Sequence, residues 1–507
     1  MKKLESLFYD VLVIGGGNAG LAAAIAAAEE GVSVALITKG KAGFAGSSVI
    51  SNAVFSAIFS EGDSPDIFYE DIVKGSRWLT DKKLARILAE ESTQRVHELE
   101  TKYGVKLERE QRIATPGHSY PRRVYAGGGK GKNVTTAMRA YALEAGVDFK
   151  EQARLIDLLE DRNRVTGAVI EHDNRLSLYY SPAVILATGG FGGLYGSSDN
   201  PRDVTGEGIG IAFRHGATLV DMEFVQFYPY RLKEPANIDV LTKIFGKGAY
   251  MFNENQERFM EKYPKKELET RDVLCYEMYK QNKVYLDFSR VPDEVLKEDS
   301  PDLYRLYKKG YKGRWVMHPV QHYCMGGIQT DEWGRTNLKG LYACGECAGG
   351  LHGANRLAGG SLTETLVFGH RAGKMAAKES GNLVKADISS EVLKRNESKD
   401  ELTPSEEKEL IMKVKNIMWE KAGIERTTAT LTEAVNELKT MIDHLQAANG
   451  ISALQLADKL ISAWACAYAG SQRKESRGAH QLQNIKEEKK EWEKKIIVQK
   501  DHAGLFQ

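Results

Sequence analysis

Six consecutive residues near the start of the chain, Gly15-Gly16-Gly17-Asn18-Ala19-Gly20, have the GxGxxG spacing of a phosphate-binding turn. Gly15 permits a tight turn. Gly17 lets backbone approach a pyrophosphate, and Gly20 lets the following helix pack on the preceding strand. A helix starting there aims free N–H groups and a positive dipole end at phosphates. The same spacing also serves a purely structural glycine turn, so its context matters. An acidic residue is expected at the end of the next strand to hold a ribose, but Thr38 and Lys39 stand there. This weighs against a simple NAD domain. A hydroxyl can still bond a ribose or phosphate oxygen, so a flavin dinucleotide remains open. A second chemical candidate is the CxxC of Cys344 and Cys347. It has no second pair to complete a four-ligand metal site, and two small residues in a tight, glycine-rich turn explain it better.

The elements around the turn support the dinucleotide reading. Residues 9–14 read as a buried strand, 19–30 as an Ala-rich helix and 32–38 as a second strand. That is a βαβ unit opening a doubly wound sheet. The apolar stretch 11–28 follows two lysines, but it holds the glycines and ends at Glu29 and Glu30. A strand–turn–helix fits it better than an export signal or a membrane span. Residues 81–103 are helix-periodic, 154–171 look like a strand pair, and 183–187 form a buried strand before Thr188-Gly189-Gly190. Between 226 and 322 aromatics and charges mix, as in an inserted domain. The earlier pattern resumes at Gly340-Leu341-Tyr342-Ala343-Cys344-Gly345-Glu346.

The expected division is 1–225 and 323–385 for one interrupted domain, 226–322 for the insertion, 386–406 for a polar linker and 407–507 for a helical domain. Within the last, 407–444 and 453–469 read as amphipathic helices. The charge run 486–495 reads as a solvated helix face or a mobile tail.

The chain has 507 residues, enough for two or three domains. Lys+Arg 70 nearly balances Asp+Glu 69. No global basic field argues for nucleic acid or an anionic membrane. The five cysteines, Cys275, Cys324, Cys344, Cys347 and Cys466, are few, odd in number and unpatterned. That usage predicts a reducing, cytoplasmic setting.

Further motifs make the reading specific. They begin with Gly117-His118-Ser119, Ala187-Thr188-Gly189-Gly190 and Thr205-Gly206-Glu207-Gly208. Asp221-Met222-Glu223-Phe224-Val225-Gln226-Phe227 and His322-Tyr323-Cys324-Met325-Gly326-Gly327 follow. Then come His352-Gly353-Ala354-Asn355-Arg356-Leu357 and Arg473-Lys474-Glu475-Ser476-Arg477-Gly478-Ala479-His480. In this order, over residues 10–480, the chain resembles the flavoproteins of fumarate reductase, succinate dehydrogenase and L-aspartate oxidase.

The resemblance implies an α/β fold: a Rossmann-like FAD-binding domain, an inserted α+β capping domain and a C-terminal helical domain. Gly15, Gly17, Asn18, Ala19 and Gly20, with Thr38 and Lys39, would bind FAD, joined by Thr188 and Gly189. Gly46, Ser47 and Ser48 would line the phosphate and ring region. Glu346 would hold the ribose, and Asn355, Ser361 and Leu362 would complete the cofactor set, the last two against the flavin. Relatives that attach FAD covalently use a His after the second strand. Residues 43–60 contain none, so FAD is expected to be held non-covalently.

The family chemistry moves a hydride between flavin N5 and a carbon near a carboxylate, and a proton to or from the neighbouring carbon. Arg356 matches a carboxylate clamp, a task suited to a guanidinium fork. His322 matches a carboxylate-binding His, and Arg271 the Arg assigned as proton donor. Bland readings stay open: Arg271 could pair Asp272, and a lone His is commonly a core residue. Three positions depart from the family. Tyr228 stands where a second carboxylate-binding His is expected. Thr242 and Phe245 stand where an acid and an arginine relay protons, with Lys243 and Lys247 adding charge nearby. Loss of a charged donor weakens recognition of a second carboxylate by roughly 1.5–3 kcal/mol. A small anionic substrate is therefore expected, a mono-anionic unsaturated acid or another anion such as a sulfo or phospho group, with electrons exchanged with a separate iron–sulfur protein. The competing readings are an adenylylsulfate reductase-like flavoprotein, an L-aspartate oxidase-like enzyme and a non-catalytic FAD electron-transfer subunit.

Overall fold

The computed structural model describes residues 4–109, 115–311, 313–381, 392, 395–396, 398 and 401–500. Most of the expected linker 386–406 lies outside the described residues. Val11–Ile14 is a run of four apolar residues, all buried, and it forms the middle strand of a five-stranded parallel sheet. The order is Leu341–Ala343, Ala183–Leu186, Val11–Ile14, Val34–Thr38, Asp148–Glu151. Burial on both faces explains why these strands read as continuous apolar runs rather than alternations.

The helix Asn18–Ala28 is almost all small side chains, and ten of its eleven residues are buried. Its partner is the helix Gly360–Glu379. A Cβ on Gly373 would sit 2.0 Å from the Ala23 carbonyl oxygen, so backbones touch where the two helices cross. That crossing carries the start of the second helix, with Ser361 and Leu362, back to the glycine turn.

The capping domain has its own antiparallel sheet, ordered Leu232–Glu234, Trp315–Met317, Val284–Asp287, Tyr250–Asn253. Its separate core includes Tyr230, Phe245, Met251, Leu274 and Leu286. The chain enters and leaves through an antiparallel pair, Val225–Tyr228 with Val320–Cys324. Tyr323 faces Gln226 and Gln321 faces Phe227, so the register skips His322. A bulge of this kind re-aims a side chain. Here it places His322 on the cavity between the domains.

The C-terminal domain differs from expectation in two places. Residues 407–444 are not one helix: Pro404–Lys421 ends before a Glu425–Arg426 strand, and Thr428–Ala447 starts anew. Local chemistry explains the break. Arg426 Nε donates to the Gly423 carbonyl, and Thr427 forms a capping box with Thr430. The charge run 486–495 forms no α-helix; most of it is exposed, as expected, but its end is anchored. Lys495 Nζ lies 2.7 Å from an Asp221 carboxylate oxygen, and Ile497–Val498 then pairs with Leu219–Val220. The third helix, Ile451–Gln472, packs on Glu207–Arg214, where Arg214 donates to Asp458 at 3.0 and 3.1 Å. No described helix is long and apolar enough to cross a membrane.

Candidate active site

One cavity of about 1100 Å³ runs from the glycine turn to the capping domain. A single small ligand needs roughly 300–1,000 Å³, so this space takes a large cofactor with a substrate beside it.

Its nucleotide end is built from backbone. Gly15 has φ +124°, and a Cβ there would lie 2.1 Å from the Ala187 carbonyl oxygen. A Cβ on Gly20 would lie 1.9 Å from the Gly15 carbonyl oxygen. Only glycine permits either approach. No side chain caps the helix Asn18–Ala28, which leaves its first N–H groups to the cavity, apart from Asn18 N–H, which reaches Ser48 Oγ at 3.2 Å. The Asn18 side chain is buried with neither its oxygen nor its nitrogen hydrogen-bonded among the described residues. An orphaned amide beside uncapped N–H groups fits a phosphate-bearing cofactor.

The other expected cofactor residues distribute as follows. Ala19, Thr38, Lys39, Gly46, Ser47 and Ser48 line the cavity. So do Thr188, Gly189, Glu346, Ser361 and Leu362. Ser47 Oγ donates to Asn200 Oδ1 at 2.8 Å, and Lys39 pairs with Glu207 at 3.4 Å. Glu346 accepts from the Cys324 N–H at 2.9 Å, and burial pushes its carboxyl up to about 7. Gly20 and Asn355 are not on the wall. Gly20 lies in the first turn of the helix Asn18–Ala28, facing the Gly15 carbonyl, and Asn355 Oδ1 accepts from Gln226 Nε2 at 3.0 Å behind the wall.

The opposite end is built from side chains. Arg271, His322 and Arg356 come from three distant segments and line the same space. Gln226 holds two of them. Its Oε1 accepts from Arg271 Nη1 at 2.9 Å and from Arg356 Nη2 at 2.7 Å. Its Nε2 donates to Asn355 Oδ1 and to the Arg356 carbonyl, which fixes the orientation of the amide. Arg356 Nη1 also donates to Ser361 Oγ at 3.2 Å, while its Nε has no partner among the described residues. Asp272 pairs with Arg77 at 2.9 Å, so it does not neutralise Arg271.

Among the described residues neither guanidinium meets a carboxylate. Burial pushes Arg356 down to about 9, and Arg271 adds to the shift. Arg271 is likewise lowered, first by burial. Two like charges so placed in a low-dielectric space are costly, and an anion relieves the cost.

The departures from the family pattern are visible in the packing. The Tyr228 ring stacks on His322, with centroids 5.0 Å apart, and the Arg271 guanidinium sits 5.1 Å from the Tyr228 centroid. Phe245 packs on Tyr230 at 4.9 Å, and Thr242 lines the cavity. Lys243 lies over the Tyr125 ring at 4.9 Å, and Lys247 pairs with Asp299 at 2.6 Å. Cys344 and Cys347 are both buried, and Cys347 Sγ donates to the Leu186 carbonyl at 3.1 Å. Burial pushes that thiol up to about 11, which makes it an inert core group. No cluster of three or more metal-type ligands occurs among the described residues.

Sequence reasoning missed Gln226, Asp199 and Asn200 as site residues. Gln226 sits inside one of the motifs and could have been found there. Asp199 and Asn200 sit in a loop with no periodicity or spacing to mark them.

Known proteins resemble this chain over nearly its whole length. The model of an FAD binding domain matches residues 10–362, and that of the fumarate reductase flavoprotein C-terminus matches 412–505. One subunit of the fumarate reductase (CoM/CoB) of Methanothermobacter marburgensis is 33% identical, covering 99% of this chain and 100% of its own. The L-aspartate oxidase of Caulobacter vibrioides is 34% identical, over 95% and 94%. The solved structure of a variant of E. coli quinol fumarate reductase superimposes with a TM-score of 0.86 at 26% identity, covering 96% of this chain and 93% of that one. The chain therefore belongs to the FAD-dependent oxidoreductase family of fumarate reductase, succinate dehydrogenase and L-aspartate oxidase flavoproteins.

Proposed function

We propose that this protein interconverts a small mono-anionic 2-enoate and its saturated acid. The observation that carries this is the pair of guanidinium groups, Arg271 and Arg356, sharing one neutral acceptor, Gln226 Oε1, at the end of the cofactor cavity. Such a pair holds one carboxylate by two charge-assisted forks. FAD, held non-covalently by the glycine turn, Ser48 and Glu346, supplies or accepts the hydride. The chain's own residues bind the acid, orient it, exclude water and move one proton.

The relatives' names include fumarate reductase and L-aspartate oxidase, whose substrates carry two carboxylates. Tyr228 argues for one carboxylate here. Its ring is buried, and burial keeps its hydroxyl protonated and neutral. A neutral phenol replaces a charged donor for the second carboxylate. Electrons are exchanged with a separate iron–sulfur protein, in keeping with a relative named as part of a larger assembly.

The test uses the FAD-loaded protein, reduced and mixed with a panel of mono- and dicarboxylate 2-enoates. Flavin reoxidation by mono-anionic members, faster than by fumarate, is expected. Reoxidation by fumarate alone, or by no member of the panel, sinks the reading.

A further inference from the structure

The proton needs a donor, and this inference rests on the reaction proposed above. Arg271 is poorly equipped for the task. A guanidinium keeps its proton unless a neighbouring acid can replace it. Among the described residues Arg271 bonds only to neutral Gln226, and its helix neighbour Asp272 is committed to Arg77. The positions that would feed it hold Thr242 and Phe245, and Phe245 is packed on Tyr230.

A different proton carrier stands beside it. His322 Nδ1 lies 2.7 Å from Asp199 Oδ2, and the imidazole side chain keeps 29% of its surface accessible. The bulge in the Val320–Cys324 strand aims the ring at the cavity. Tyr228 stacks on one face and limits its rotation. Asp199 is fixed in turn: its N–H donates to the Gln321 carbonyl at 3.1 Å. Next to it, Asn200 Nδ2 donates to the His322 carbonyl at 2.9 Å. A carboxylate on Nδ1–H fixes the tautomer and orients the other nitrogen. Nε2 has no protein partner among the described residues, so its lone pair or proton belongs to the cavity.

We infer that Asp199 and His322 form a proton-transfer pair, with His322 Nε2 delivering a proton to the substrate carbon next to the one that takes the hydride. The N–H bond breaks as the C–H bond forms, the imidazolium becomes neutral imidazole, and Nδ1–H stays with Asp199. In the reverse direction neutral Nε2 accepts the same proton. His322 is the catalytic residue, and Asp199 positions it and favours its charged form.

Other groups face the ring from every side. Arg271 and Arg356 disfavour the imidazolium, while Asp199 favours it. Tyr228 is neutral, and Glu346 lies in the same cavity. Burial leaves the imidazole below its ordinary range in the free protein. A bound carboxylate raises it again, so substrate itself readies the donor.

The experiment compares the full-length FAD-loaded protein with Asp199→Asn, Asp199→Glu and Arg271→Lys. Nitrogen-15 NMR of His322 is read alongside kinetics. The expected result is an Nδ1–H tautomer in the unaltered protein that Asp199→Asn loses. Asp199→Asn should also lower kcat about 100-fold or more, the usual scale of a lost acid–base group, with KM little changed. Because the donor must be protonated, rate falls as pH rises through its pKa. Asp199→Asn should move that limb to lower pH, and Asp199→Glu should restore it in part. The proposal is overturned if His322 is an Nε2–H tautomer bonded elsewhere. It is also overturned if Asp199→Asn changes KM alone, or if the alkaline limb follows Arg271→Lys and ignores Asp199. Should no 2-enoate reoxidise even the unaltered protein, the assigned reaction fails. The NMR tautomer then still decides whether the Asp199–His322 pair exists.

Discussion

The two ends of the cavity bind by different means. The nucleotide end is made of backbone: Gly15, Gly20 and an uncapped helix start, with the orphaned Asn18 amide beside it. The substrate end is made of side chains from five segments, joined through Gln226 and the Asp199–His322 pair. A backbone site fails when a Cβ intrudes. A side-chain network fails by degrees, according to which charge or bond is lost. The contrast predicts an all-or-none response at one end and graded responses at the other.

The largest effect belongs to Gly20→Ala. The new Cβ would meet the Gly15 carbonyl oxygen at 1.9 Å, and both backbones are fixed, Gly15 by its N–H bond to the Ile37 carbonyl and Gly20 within the helix Asn18–Ala28. Neither can move without opening the turn. The variant should fail to retain FAD and lose about 3 kcal/mol or more of stability, as overpacked cores do. Flavin absorbance of the purified protein and a denaturant midpoint check both. A yellow, stable Gly20→Ala protein would mean that the turn is not the cradle.

Arg356→Ala comes next and tests the side-chain end. It removes one fork and leaves Gln226 Oε1 with a single donor. Loss of a charge-assisted bond costs roughly 1.5–3 kcal/mol, so kcat/KM should fall about 10- to 100-fold while the protein stays yellow. Loss of FAD together with activity would erase the distinction between the two ends.

Legibility in sequence follows the same division. Backbone sites leave glycines at fixed spacing, so Gly15, Gly17 and Gly20 announced the cradle and the βαβ unit around it. The parallel strands were equally plain, because burial on both faces demands unbroken apolar runs such as Val11–Ile14. A side-chain network leaves no period. Asp199 and His322 are 123 residues apart, and only a one-residue bulge brings the ring to face the carboxylate. Glu407 to His444 looked like a single helix because both halves are amphipathic, while the break depends on the Arg426 and Thr427 bonds. The run of charges near the C-terminus is mostly exposed, as its composition suggests, but its anchor at Asp221 leaves no sequence signal because it lies far away in the chain.

Tyr228→His should alter preference more than rate. The ring stacks on His322 and lies beside Arg271. An imidazole there restores a donor for a second carboxylate, worth about 1.5 kcal/mol or somewhat more, or roughly tenfold. The ratio of kcat/KM for fumarate to that for a mono-anionic 2-enoate should rise by about that factor. An unchanged ratio would place the discrimination elsewhere on the capping side.

The smallest effect is expected at Lys39→Ala, and its smallness is the point. Lys39 is the one cationic side chain that the sequence placed at the nucleotide end. Its partner Glu207 is 3.4 Å away, and the two side chains are 36% and 27% exposed. Pairs this accessible contribute about 0–1 kcal/mol and are screened by salt. FAD affinity should therefore drop by less than about fivefold, with most of the difference gone at high ionic strength. A titration of the FAD-free protein at two salt concentrations measures this. A loss of about a hundredfold or more, insensitive to salt, would mean that a side chain and not the glycine-lined backbone carries the cofactor, and the contrast between the two ends would collapse.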